Sequence, residues 1–397
     1  MVSLYNEKDF GDIGNMYLYL GHACNMRCRH CQQTPLKTDR VKVPSFGEVD
    51  NKVVSVLENY VAYSLSHVPR HLKRRNFIGF WGGEPLVYWG FIKAVVLYLH
   101  DRLDILGNGN FFFTITTNGL LLDEEIVGFC NRYRIRVNLS YDAPYPFAVR
   151  DYISDDKCDV FMKLDHRGIY GCYNAYCCDY FLSYCCLRTK FPDCEITVNH
   201  RLLRSFDMPK DIYRFDWDRV RLAVRRLCVG AKAGNPFCVD WVRNRFLKRP
   251  NPSLVNGKTL NLDLHGNVLL HRNRPDCIVS NVREPLAVVM RKTDDCFSSR
   301  LSSVCGICRH RDICTKSQAW SDIMNRKGFF DSCMDYYFPF YDIVKEEMRC
   351  LSYPLTFGEA GWFEGQKKTV AEEVGRFLGE GVRYAKERTR LPKDIGQ

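Results

Sequence analysis

Gly21-His-Ala-Cys-Asn-Met-Arg-Cys-Arg-His-Cys-Gln32 follows a short apolar stretch, Met16 to Leu20, and sets Cys24, Cys28 and Cys31 in a C-x3-C-x2-C loop. A loop of this spacing folds three thiolates around one corner of an iron–sulfur cluster and has no fourth cysteine to close it, so one iron stays open for chemistry. Zinc is the competing reading: it takes four donors at short spacing, and His22 and His30 stand close enough to complete such a set. Three buried thiols with no metal at all are the blander reading.

Three segments downstream weigh against both alternatives. Phe77-Ile-Gly-Phe-Trp-Gly-Gly-Glu-Pro-Leu86 is an apolar strand running into Gly82, Gly83, Glu84 and Pro85. Two glycines let a backbone come close to a ligand, and Glu84 offers a carboxylate to an ammonium group. Phe111-Phe-Phe-Thr-Ile-Thr-Thr-Asn-Gly119 and Arg136-Val-Asn-Leu-Ser-Tyr-Asp142 are further strands that end in polar groups. In parallel α/β sheets, ligands bind at the carboxyl ends of strands, where these side chains fall.

The cysteine loop, with aromatic His30 before its last cysteine, and the three strand ends together resemble the radical S-adenosylmethionine (SAM) enzymes. The resemblance implies a [4Fe–4S] cluster on Cys24, Cys28 and Cys31 whose open iron chelates SAM, and cleavage of SAM to a 5′-deoxyadenosyl radical. It also implies that Gly82, Gly83, Glu84 and Pro85 hold the SAM amine. By the same likeness, His30, Thr117, Asn118, Asn138, Ser140 and Asp142 line the SAM site, and Arg150 is a weaker candidate for its carboxylate.

Composition agrees with a globular enzyme. The chain has 397 residues, 46% hydrophobic and 13% aromatic, enough for one large unit and a smaller one. No basic start followed by an apolar run opens it, and no stretch of 18 uncharged apolar residues occurs, so a cytoplasmic protein without membrane attachment is expected. Its 20 cysteines then read as thiols and cluster ligands rather than disulfides.

Helical periodicity over Phe46–Leu65, Tyr88–Leu106 and Asp123–Tyr133, the last with Asp123 as N-cap, alternates with the strands and predicts an α/β fold with a parallel sheet and right-handed crossovers. Further on, Asp159–Leu164 reads as a strand, Tyr173–Leu187 as a helix, Glu195–Asn199 as a strand and Val220–Val224 as another. The resemblance turns this rhythm into a partial (β/α)6 barrel over residues 1–250. Near Asn251-Pro252 the character changes, and Leu260 to Leu270 alternates on both sides of His265-Gly266-Asn267, a β-hairpin signature.

Cys305-Gly-Ile-Cys308-Arg-His-Arg-Asp-Ile-Cys314 and Cys333 supply four more thiols, which suit a closed [4Fe–4S] cluster or a tetrahedral zinc equally well. Hairpin and array together resemble the SPASM extension of radical SAM enzymes, which implies a small Cys-rich domain over 251–350 with an auxiliary [4Fe–4S] cluster on Cys305, Cys308, Cys314 and Cys333. A full SPASM domain carries another cluster. Here no cysteine lies between Asn251 and Gly266, and His271 and Gln318 stand where two of its ligands belong, so that cluster is expected to be absent. Residues 351–397 are expected to add a packing helix, Lys367–Arg388.

Seven cysteines crowd between Cys158 and Cys194, with no C-x2-C spacing, and read as buried thiols. From Arg201 to Pro250, thirteen Lys and Arg face five Asp, and aromatic residues are interleaved. A basic face of this kind suits nucleic acid, and it equally describes a solvated helix. The leading expectation is therefore a radical SAM oxidoreductase acting on a peptide or protein side chain and fed by a flavodoxin or ferredoxin. Modification of a nucleic acid or nucleotide is the second reading, and a non-catalytic zinc or iron–sulfur interaction protein the third.

Overall fold

The computed structural model describes residues 13–31, 45–67, 76–107, 111–143, 153–172, 178–199, 214–232, 259–271, 274–298 and 338–349, with residues 10, 150, 175, 234, 235, 238 and 239. Six strands run in chain order: β1 (Asn15–Tyr19), β2 (Asn76–Trp81), β3 (Phe111–Thr117), β4 (Arg136–Ser140), β5 (Arg167–Cys172) and β6 (Glu195–Asn199). Helices α1 (Asn51–His67), α2 (Trp89–Arg102), α3 (Glu124–Arg132), α4 (Asp155–Met162), α5 (Tyr180–Lys190) and α6 (Trp217–Lys232) follow them one by one. Every neighbouring pair from β1 to β6 is parallel, so six βα units stand in a row as the sequence predicts.

Two of the predicted strands are helices. Asp159–Leu164 lies within and just beyond α4, which follows Ser154 and has Asp155 and Asp156 in its first turn, where the helix dipole favours acids. Cys158 and Phe161 are buried at helical spacing. Val220–Val224 lies inside α6, whose buried residues Val220, Ala223, Val224, Leu227 and Cys228 recur every three or four positions. The strand taken for 159–164 is β5, and β6 stands where Glu195–Asn199 places it.

The hairpin at Leu260–Leu270 also forms. Strand β7 (Thr259–Asp263) turns into β8 (Asn267–His271), and β9 (Arg274–Asn281) follows; both of these pairings are antiparallel. Asp263 Oδ1 accepts from the amides of His265 and Asn267 and holds the turn. Strand β7 lies parallel to β1, so the hairpin continues one nine-stranded sheet in the order β6-β5-β4-β3-β2-β1-β7-β8-β9. Helices α7 (Leu286–Ser298) and α8 (Phe338–Arg349) complete the described α-helices, and short 3-10 turns stand at Phe46–Glu48 and Pro85–Tyr88.

One face of the sheet is apolar and carries the helices. Met16, Leu18, Ile78, Phe80, Phe113, Ile115, Val137 and Leu139 share a core with Val56 and Tyr60 of α1, Val95 and Val96 of α2 and Ile126 of α3. Alternate residues point to the other face, so Tyr17, Phe77, Trp81, Asn138 and Ser140 lie away from this helix layer. All the parallel strands end on one edge, and the site lies along it.

Candidate active site

The cysteine loop leaves β1 and is clamped at once by the loop after β2. Leu20 N donates to Trp81 O at 2.7 Å, Gly83 N to Gly21 O at 2.9 Å and Glu84 N to Ala23 O at 2.8 Å. These contacts explain both glycines. A Cβ on Gly83 would lie 2.3 Å from Ala23 O, and one on Gly82 2.8 Å from Gly21 O. The close approach that the sequence assigns to a ligand is thus an approach to the cysteine loop itself. Tyr88 Oη accepts from Ala23 N at 3.1 Å and secures the loop from beneath.

Glu84 is buried, and its carboxylate accepts from Leu86 N, Thr117 Oγ1 and Asn118 N at 3.0, 2.7 and 2.8 Å. Burial pushes this carboxyl above its ordinary range, against the pull of the three donors. Asn118 then donates through Nδ2 to Asn25 Oδ1 at 2.7 Å, inside the cysteine loop. Glu84, Thr117, Asn118 and Asn25 therefore tie the ends of β2 and β3 to the loop. Asn25 and Tyr88 are members that the sequence reading missed; Asn25 sits beside Cys24, and Tyr88 lies four residues beyond Glu84.

At the end of β4, Asp142 is fully buried. Its Oδ2 accepts from Arg150 Nε at 2.6 Å, its Oδ1 accepts from Cys172 N at 2.6 Å, and His30 Nε2 lies 4.0 Å from Oδ2. Arg150 thus meets a protein carboxylate. Asn138 Nδ2 donates to Thr114 Oγ1 at 3.0 Å, and Asn138 Oδ1 accepts from Arg136 Nε at 3.2 Å. The structure brings Cys24, Cys28, Cys31, His30, Gly82, Gly83, Glu84, Pro85, Thr117, Asn118, Ser140, Asp142 and Arg150 to one edge. Asn138 lies two residues lower on β4. Cys305, Cys308, Cys314 and Cys333 lie outside the described residues, as do Gln318 and Lys367–Arg388.

Cys28 is buried, Cys24 and Cys31 are half-buried, and Cys31 N donates to Cys28 O in a tight turn. A [4Fe–4S] cluster presents separate irons to separate thiolates. Cys24, Cys28 and Cys31, three cysteines on one clamped loop, suit that arrangement. Of the crowded cysteines further on, Cys158, Cys178, Cys186 and Cys194 are buried, Cys172 and Cys185 are half-buried and Cys177 lies outside the described residues; burial pushes Cys158 and Cys178 up to about 11, and Cys185 and Cys186 up to about 12.

The model of the radical SAM superfamily matches residues 18–169, from β1 into β5. The chain carries a radical SAM domain. Such a domain implies a [4Fe–4S] cluster and SAM. Similar proteins include the radical SAM cyclopropyl synthase TigE of Paramaledivibacter caminithermalis, 27% identical over 32% of this chain and 26% of that protein. Another is the cysteine-type anaerobic sulfatase-maturating enzyme of Clostridium perfringens, 28% identical over 36% of this chain and 37% of that one. The chain therefore matches between about a quarter and somewhat over a third of the length of these relatives. Among solved structures, anSMEcpe with bound AdoMet and the Cp18Cys peptide has a TM-score of 0.54 at 13% identity, covering 84% of this chain and 99% of that one. Streptococcus suis SuiB bound to precursor peptide SuiA has a TM-score of 0.51 at 14% identity, covering 76% and 71%. These likenesses share the radical SAM domain's fold.

The basic helix α6 is engaged within the protein. Arg221 Nη1 and Arg225 Nε meet Glu346 and Glu347 of α8 at 2.6 and 2.9 Å, and Arg226 Nη1 meets Asp179 at 2.8 Å. Among the described residues no helix is long and apolar enough to cross a membrane.

Proposed function

We propose that this chain is a radical SAM enzyme that takes a hydrogen atom from a peptide or protein side chain. The observation that carries the proposal is the clamp of Gly83 and Glu84 on the three-cysteine loop at the carboxyl edge of a parallel sheet. When bound, the cluster and SAM together supply a 5′-deoxyadenosyl radical. The protein's part is to place and shield that chemistry. Cys24, Cys28 and Cys31 would hold the cluster, while Glu84, Asn118 and Asn25 fix the loop that bears them. Gly82, Gly83 and Pro85 shape the backbone beside the SAM amine. The Ser140 hydroxyl makes no hydrogen bond to another described residue, and it is assigned to SAM together with Asn138, His30, Asp142 and Arg150.

A peptide substrate is supported by the maturating enzyme among the relatives and by the peptide-bound structures of the same fold. Nucleic acid is the weaker reading, because Arg221, Arg225 and Arg226 already face carboxylates. Electrons are assigned to a flavodoxin or ferredoxin, and an auxiliary [4Fe–4S] cluster to Cys305, Cys308, Cys314 and Cys333. Anaerobic incubation of the reconstituted chain with SAM, a reductant and either a fully deuterated peptide pool or a fully deuterated nucleic-acid pool tests the substrate class. Deuterium in 5′-deoxyadenosine from the peptides alone is expected. Deuterium from the nucleic acids alone would overturn the assignment.

A further inference from the structure

Arg150 is an arginine with its charge taken out of water. Its side chain is 11% exposed, its Nε donates to Asp142 Oδ2 at 2.6 Å and its Nη2 to Cys172 Sγ at 3.4 Å. The same Asp142 oxygen lies 4.0 Å from Nε2 of His30, the neighbour of Cys31. Burial works against the guanidinium's charge, but the Asp142 carboxylate outweighs it and holds Arg150 above the usual arginine range. A buried ion pair is thus packed against the cysteine loop with its two ends distinguishable: the carboxylate toward His30, and the guanidinium toward Cys172.

We infer that Arg150 and Asp142 set the reduction potential of the cluster held by Cys24, Cys28 and Cys31, the guanidinium raising it and the carboxylate lowering it. The inference rests on the reading that this loop binds a cluster. Reduction adds one negative charge to a cluster already surrounded by thiolates. A nearby positive charge favours that added electron and a negative one opposes it, and in a buried site the effect is only weakly screened. Asp142 also fixes the guanidinium, so each residue acts through the field at the loop and neither needs to touch the reacting atoms.

Redox titration of the reconstituted full chain without SAM, followed by the electron paramagnetic resonance signal of the reduced cluster, tests this without any activity readout. The comparison uses wild type, Arg150→Met, Arg150→Lys and Asp142→Asn. Arg150→Met is expected to move the midpoint to more negative potential, Arg150→Lys to keep it near wild type, and Asp142→Asn to move it to more positive potential. Opposite signs for the two neutralising variants distinguish a field effect from simple loosening of the loop, which would move both the same way. If Arg150→Met fails to load iron, Asp142→Asn decides alone by the sign of its shift. Midpoints equal to wild type, or shifts of the same sign, overturn the inference. Wild-type chain that takes up no cluster overturns the reading beneath it.

Discussion

A Cβ on Gly83 would stand 2.3 Å from the carbonyl oxygen of Ala23, a distance at which one of the two backbones must move. Gly83→Ala should therefore push the cysteine loop off the end of β2, at a cost of about 1–3 kcal/mol in the apo protein, and sharply reduce iron uptake. Gly90→Ala in α2 is the control, since nothing lies within 4 Å of its Cβ. It should be neutral or stabilising by up to about 1 kcal/mol. Urea unfolding and iron assay on both variants check the contrast.

Glu84 serves three donors with two oxygens. Glu84→Gln keeps the volume but leaves one acceptor oxygen, so a buried donor on Thr117 or Asn118 loses its partner. The expected loss is about 1–3 kcal/mol, with faster amide exchange at Asn118. Unchanged exchange at Asn118 would show that the carboxylate does not hold the end of β3.

His100 lies between Phe113 and Tyr133, and its Nε2 is buried with no hydrogen-bond partner among the described residues. Burial depresses its pKa from 6.5 to about 4. Below pH 6.5 the unfolded chain binds a proton that the folded one refuses, so stability falls as pH drops from 6.5 toward 4, by up to about 3 kcal/mol. Above pH 6.5 the residue contributes no pH dependence. Urea midpoints of wild type and His100→Leu, compared at pH 7 and pH 5, should diverge at the lower pH; parallel behaviour would exclude this role.

Glu347 of α8 is 5% exposed and accepts from Arg225 twice, at 2.9 and 3.1 Å, whereas Glu346 is 54% exposed and meets Arg221 alone. Replacing Glu347 by Ala should cost about 1–3 kcal/mol. Glu346→Ala should cost less than about 0.5 kcal/mol, because an exposed pair is screened by water. Unfolding curves for the two variants give the comparison.

The strands that carry the site could be read because each runs through β-branched and aromatic residues into a polar end, as at Phe77–Trp81 and Phe111–Thr117. The hairpin at Leu260–Leu270 was legible from its alternation. In Val220–Val224 the alternation Val-Arg-Leu-Ala-Val misleads, since only the wider window to Cys228 reveals the helical period. The α4 segment carried a start signal at Ser154-Asp155-Asp156 that outranks the apolar run read as a strand. Two kinds of fact stayed hidden in the one-dimensional pattern: that Gly82 and Gly83 make room for the cysteine loop, and that Asp142 takes Arg150. Both depend on which strands become neighbours. Arg221 and Arg225 of α6 looked like part of a free basic face for the same reason, because their acidic partners on α8 lie more than a hundred residues away.

Cys24, Cys28 and Cys31 are proposed to hold a cluster that cleaves SAM. The most direct test is anaerobic reconstitution of wild type and the Cys24/Cys28/Cys31→Ala triple variant, followed by assay of iron, sulfide, zinc and reductant-dependent 5′-deoxyadenosine. 5′-Deoxyadenosine is expected from wild type only, with about four fewer irons per chain in the variant. Bound zinc without SAM cleavage in wild type, or cleavage that survives in the triple variant, would contradict it.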